Sequence, residues 1–83
     1  MPQIWVKIGN DREDAYIVHV HDQFAGERRE VAGSPFPLAS HDTSADFAVN
    51  ADAERNGRIA YDCETGPSRS DIPVRDGRTI YID

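Results

Sequence analysis

Tyr16-Ile17-Val18-His19-Val20-His21 is the stretch on which the fold turns. Successive side chains of an extended chain point to opposite faces, so Tyr16, Val18 and Val20 share one side while Ile17, His19 and His21 share the other. The same period of two recurs on both sides of it. Upstream, Ile4, Val6 and Ile8 alternate with Trp5 and Lys7, and Gly9-Asn10-Asp11 is expected to end that strand. Downstream, Phe47, Val49 and Ala51 alternate with Ala48 and Asn50. Ile59, Tyr61 and Cys63 then alternate with Arg58, Ala60 and Asp62. Ile72 and Val74 suggest a short strand, Asp76-Gly77 a turn, and Thr79 to Asp83 a last strand with Ile80 and Ile82 on one side. In the Gly33 to Leu38 stretch, Pro35 and Pro37 lack ladder donors and favour a short edge strand. Only Ala51 to Arg55 looks locally helical. The expectation is an all-β chain of about seven short strands, in a sandwich or barrel.

Eighty-three residues suffice for one domain, here 1–83, and such a short chain buries only about 60 to 65% of its unfolded surface. Fifteen acidic against nine basic side chains give a net charge of −6, which repels nucleic acid and anionic lipid. The neighbouring Arg28 and Arg29 are flanked by Glu27 and Glu30, so no basic patch offsets this. Cys63 is the only cysteine, which rules out an internal disulfide and fits a reducing, cytoplasmic compartment. No apolar run reaches transmembrane length, and the amino end has no export pattern.

Several segments together resemble the immunoglobulin-like repeat of filamins. Ala15-Tyr16-Ile17-Val18-His19-Val20 followed by Gly33-Ser34-Pro35-Phe36 is similar to that repeat's last two strands. Ala45-Asp46-Phe47-Ala48-Val49 resembles its second, and Gly57-Arg58-Ile59 through Gly66-Pro67-Ser68 its third with the following turn. Asp71-Ile72-Pro73-Val74 and Asp76-Gly77-Arg78-Thr79-Ile80-Tyr81 resemble its fourth strand and the start of its fifth. The cyclic order agrees and the linear order does not, since the last two strands come first. Either the chain is a circularly permuted immunoglobulin-like β-sandwich, with Ile4 to Ile8 in or beside the fifth position, or it straddles two repeats and exchanges strands in a swapped dimer. The closed monomer is the favoured form.

The resemblance implies a non-catalytic module that binds a partner peptide by strand addition at a sheet edge. The implied site is a groove along Arg58, Ile59, Ala60, Tyr61, Asp62 and Cys63, with Ile72 and Val74, in which an outward Ala60 allows close approach. The bland alternative is an edge blunted by Arg58, Asp62, Pro73 and Arg75. A second class is a small acidic inhibitor or immunity-type protein that meets a basic partner through Asp42, Asp46 and Asp52. The third is a metal-binding sandwich in which His19 and His21, two apart on one strand face, share an ion with Asp22, His41 or Asp42. Against it, Tyr16, Val18 and Val20 already claim the core face, leaving the two histidines on the solvated one. No cofactor is expected. Cys63 continues an apolar row and reads as a small buried hydrophobe rather than a nucleophile. Asp52, Glu54 and Asp62 lack the spacing of a calcium loop. Trp5, opposite the Ile4, Val6, Ile8 row, is either a cap on the core's edge or a contact surface.

Overall fold

The alternating segments become strands, and the computed structural model, which describes residues 2–83, pairs them into two sheets. The strands are β1 (Gln3–Asn10), β2 (Tyr16–Asp22), β3 (Arg29–Glu30), β4 (Phe36–Leu38), β5 (Asp42–Thr43), β6 (Phe47–Asn50), β7 (Asn56–Cys63), β8 (Ser68–Arg75) and β9 (Thr79–Tyr81). The first sheet centres on β1, with β5 and β6 antiparallel on one side and β9 parallel on the other. The second runs β8, β7, β2, with β3 and β4 both along the far side of β2. The result is an all-β sandwich.

Each sheet turns one set of alternate side chains inward. Ile4, Val6, Ile8, Phe47 and Val49 come from the first sheet; Tyr16, Val18, Val20, Ile59, Tyr61, Cys63, Ile72 and Val74 come from the second, all in one apolar cluster. Burying a Val or Ile contributes about 1.5–3 kcal/mol, so this shared layer, and not any local propensity, holds the sheets together. The expected inward rows are the observed ones in β2, β6 and β1.

Several local expectations are corrected. Gly9 and Asn10 continue β1 instead of ending it. A Cβ at Gly9 would lie 2.6 Å from the Tyr81 ring, which packs over it. Asn10 is buried, and its side-chain amide donates to the carbonyls of Asp14 (2.8 Å) and Ala39 (3.1 Å). Ala51 to Arg55 is a turn, not a helix: Asp52 Oδ1 accepts the N–H groups of Glu54 and Asn56, both at 2.9 Å. β8 is a full eight-residue strand broken by a bulge. Ser70 and Asp71 together oppose Ala60, Asp71 adopts φ 56°, and the pairing shifts by one residue. Ala60 is fully buried, not open for close approach.

A second interruption links β5 to β6. Both lie along the same side of β1, but pairing moves from Val6↔Phe47 to Gly9↔Thr43, one residue out of step. They are one strand kinked at residues 44–46. At the kink the Ile8 N–H donates to Ser44 Oγ at 2.9 Å, in place of a ladder carbonyl.

Candidate functional site at the sheet margins

The expected groove is built from residues that the fold does bring together, but as directly paired neighbours. β7 has β2 on one side and β8 on the other. Both of its edges are therefore occupied, and no further strand can add along Arg58 to Cys63 while β8 stays in place. Ile59, Ala60, Tyr61, Cys63, Ile72 and Val74 are buried, leaving Arg58 and Asp62 exposed. The free margin on this side is the outer edge of β8. It is a poor template: Pro73 lacks a donor, the Asp71 bulge bends the strand, and Arg69 and Arg75 flank it. Gln23 Oε1 accepts the Asp71 N–H at 2.7 Å and Arg58 donates to the Asp71 carbonyl at 3.2 Å, so side chains of this chain already occupy the bulge.

The opposite flank of the sandwich is different. There the outer edges of β4 and of the β5–β6 strand face each other across a slot of about 260 Å³. Phe36, Leu38 and Phe47 line it, and Asp42 and Asp46 stand among its lining residues. That volume is below the usual range for a small-molecule pocket, roughly 300–1,000 Å³, and suits a few side chains. Its backbone groups can be assigned from the ladder. Ala51 N–H bonds Pro2 O, toward β1, so by the alternation of antiparallel pairs Val49 and Phe47 also face β1 while Ala48 faces outward. Asn50 N–H, also outward, is taken by Asp22 Oδ2 at 2.9 Å, and Thr43 N–H by Asp42 Oδ1 at 2.8 Å. Between these two capped donors lies a stretch whose outward groups at Ala48 have no strand beside them. β4 contributes less, because Ile17 O accepts from Glu64 N–H on the β7 side, which turns the facing Pro37 outward with only a carbonyl to offer.

On the outer face of the second sheet, His19 sits between two carboxylates. Nδ1 is 2.8 Å from Glu30 and Nε2 is 2.8 Å from Glu64. Ionised carboxylates only accept, so both contacts are hydrogen bonds at once only when the ring carries a proton on each nitrogen. Glu64 first and Glu30 second raise its pKa. Ser34, donating to Glu30 at 2.7 Å, and then His19 lower that of Glu30. His21, two residues on, is pushed the other way by burial and then by Arg28, and its buried Nδ1 has no partner. Both His19 nitrogens are thus committed, and among the described residues no group of three His, Cys, Asp or Glu side chains could hold a metal ion. Burial raises the pKa of the Cys63 thiol, the opposite of what an activated nucleophile needs.

Trp5 is half exposed on the outer face of the first sheet and does not reach the core. Sequence reasoning missed the slot because its two walls, β4 and β5–β6, are defined by which strands lack neighbours. The one signal was the shortness of the segment between Leu38 and Asp46, too brief for another strand to cover that flank. No protein-family model, no curated protein and no solved structure matches this chain.

Proposed function

We propose that this sandwich is a non-catalytic interaction module of immunoglobulin type, in permuted strand order, that takes an extended partner peptide as an added strand on the outer edge of β5–β6. The observation that carries the reading is an unpaired strand edge lying directly beside an apolar slot. Backbone groups at Ala48 would supply the ladder, and alternate side chains of the peptide would enter between Phe36, Leu38 and Phe47. The resemblance to filamin repeats supports strand addition as the mode. The interior position of β7 moves the site away from Arg58–Cys63. The permuted order is supported by β1, which lies antiparallel against β6 in the place the resemblance leaves for a fifth strand. The module acts as a monomer in a reducing, cytoplasmic setting, as the lone buried Cys63 suits.

A tethered strand tests this. Pro2 lies beside Ala51 at the end of β6, so a peptide of alternating valine and threonine joined to the amino end by a short Gly-Ser linker starts next to the proposed edge. Slowed hydrogen exchange at the Asp46 and Ala48 amides, absent with the linker alone, is the expected result. Protection at Ser68–Arg75 instead, or at neither edge, overturns the assignment.

A further inference from the structure

We infer that the segment captured by this slot is basic: an extended stretch of a partner protein in which apolar residues alternate and lysine or arginine stands on either side of them. This inference rests on the strand-addition reading and adds the chemistry of the occupant.

Three observations carry it. The slot's lining includes two carboxylates, Asp42 and Asp46, and no basic side chain. Asp42 opens β5 and Asp46 ends the kink that leads into β6, so an added strand running along both would pass both carboxylates. Their present contacts are few and exposed. Among the described residues the Asp42 carboxylate accepts only the neighbouring Thr43 N–H, and Asp46 has Lys7 Nζ at 3.9 Å, with the Lys7 and Asp46 side chains about half exposed. The apolar floor meanwhile requires alternate Val-, Ile- or Leu-like side chains, because a strand presents every second residue to one face. A net charge of −6 adds long-range attraction for a cationic segment and disfavours a second copy of this chain as the occupant.

The test uses the full chain and three seven-residue peptides of alternating valine and threonine, ending at both termini in lysine, glutamine or glutamate. Binding is followed by amide shifts at 20 mM and 300 mM salt. Two partly exposed ion pairs predict that the lysine peptide binds roughly two- to thirtyfold tighter than the glutamine peptide, the ratio shrinking at high salt. It should be centred on Asp46 and Ala48 and vanish in the D42N/D46N double variant. Equal binding of the lysine and glutamine peptides overturns the charge inference and leaves strand addition standing. No shift at those amides with any peptide overturns both. A lysine peptide N-methylated at both its valines and its threonines that binds undiminished shows attraction without a ladder and overturns the strand-addition reading. Concentration-dependent dimerisation that protects the same amides identifies a second copy as occupant and overturns the proposal.

Discussion

Ser34 and Ser44 each offer a hydroxyl oxygen to an N–H of a central strand, Val20 at 2.8 Å and Ile8 at 2.9 Å. Each stands where the neighbouring strand steps out of register, between β3 and β4 in one sheet and between β5 and β6 in the other. A central-strand N–H that loses such a partner costs about 1–3 kcal/mol. We expect Ser34→Ala and Ser44→Ala each to lower unfolding free energy by about that amount in urea titrations. A loss of a few tenths at both positions would show that water replaces the hydroxyl. The sequence marked Ser34 only through the Gly33-Ser34-Pro35-Phe36 resemblance and Ser44 not at all, since both lie in stretches rich in turn residues.

The histidines make a prediction with a sign at the same scale. His19 has a raised pKa, so its contribution to stability is complete below about 6.5, the ordinary histidine value, and fades as pH rises through the folded-state value. Glu30 has a lowered pKa, so its contribution is present above the ordinary glutamate value and is lost as pH falls. The clasp is therefore complete only in mildly acidic solution. His21 opposes it there, because its lowered pKa penalises protonation of the folded state. In NMR titrations the His19 ring should titrate above 6.5 and the His21 ring below it. The reverse order would sink the assignment. Although the sequence placed both rings on one face, the contacts with Glu64 and Glu30 at His19, and burial and Arg28 at His21, separate their behaviour.

At the scale of elements, side-chain alternation was enough to identify β1, β2, β6 and β7, because a strand's faces depend on its own residues alone; the two-residue β3 and β5 and the polar first half of β8 carry no apolar alternation to read. Phe47, Val49, Ile59 and Tyr61 all point inward as their spacing requires. Which strand borders which is a different kind of fact. It depends on pairing between segments far apart in the chain, such as His21 with Ala60, and it decided that β7 is interior and β8 marginal. Ala60 illustrates the consequence. Its position in the alternation put it outside, yet β2, β8 and the bulge at Ser70–Asp71 surround it and remove it from solvent. The candidate site shifted for the same reason, from a strand with two neighbours to one with a free side. Proline was the readable exception: Pro37 and Pro73 both lie on outer strands, as a residue without a ladder donor must.

Over the whole molecule, the radius of gyration of 11.8 Å equals that of a compact chain of this length, about 12 Å, and one chain supplies both halves of the core. Asp22 helps fasten those halves. It is nearly buried at the end of β2, takes the Phe24 N–H at 3.0 Å within its own sheet, and takes the Asn50 N–H at 2.9 Å from the other. Asp22→Asn puts an amide NH₂ against one of those donors, and we expect a loss of about 1–3 kcal/mol in denaturant titrations. Asp22→Ala removes both acceptors, releases the outward Asn50 donor and lengthens the unpaired edge of β6. Light scattering should then show more self-association than in the parent protein. Unchanged stability and an unchanged monomer fraction would mean that this carboxylate ties nothing together.

The parallel run of β9 beside β1 has a mechanical consequence. Gln3 opens β1 at one end of its sheet, and β9 leads to Asp83 toward the other. Tension applied through these two points drags the neighbouring strands lengthwise past each other. The bonds between Lys7–Gly9 and Thr79–Tyr81 then share the load and must yield as a group, so the sandwich resists stretching along that line instead of peeling open one rung at a time.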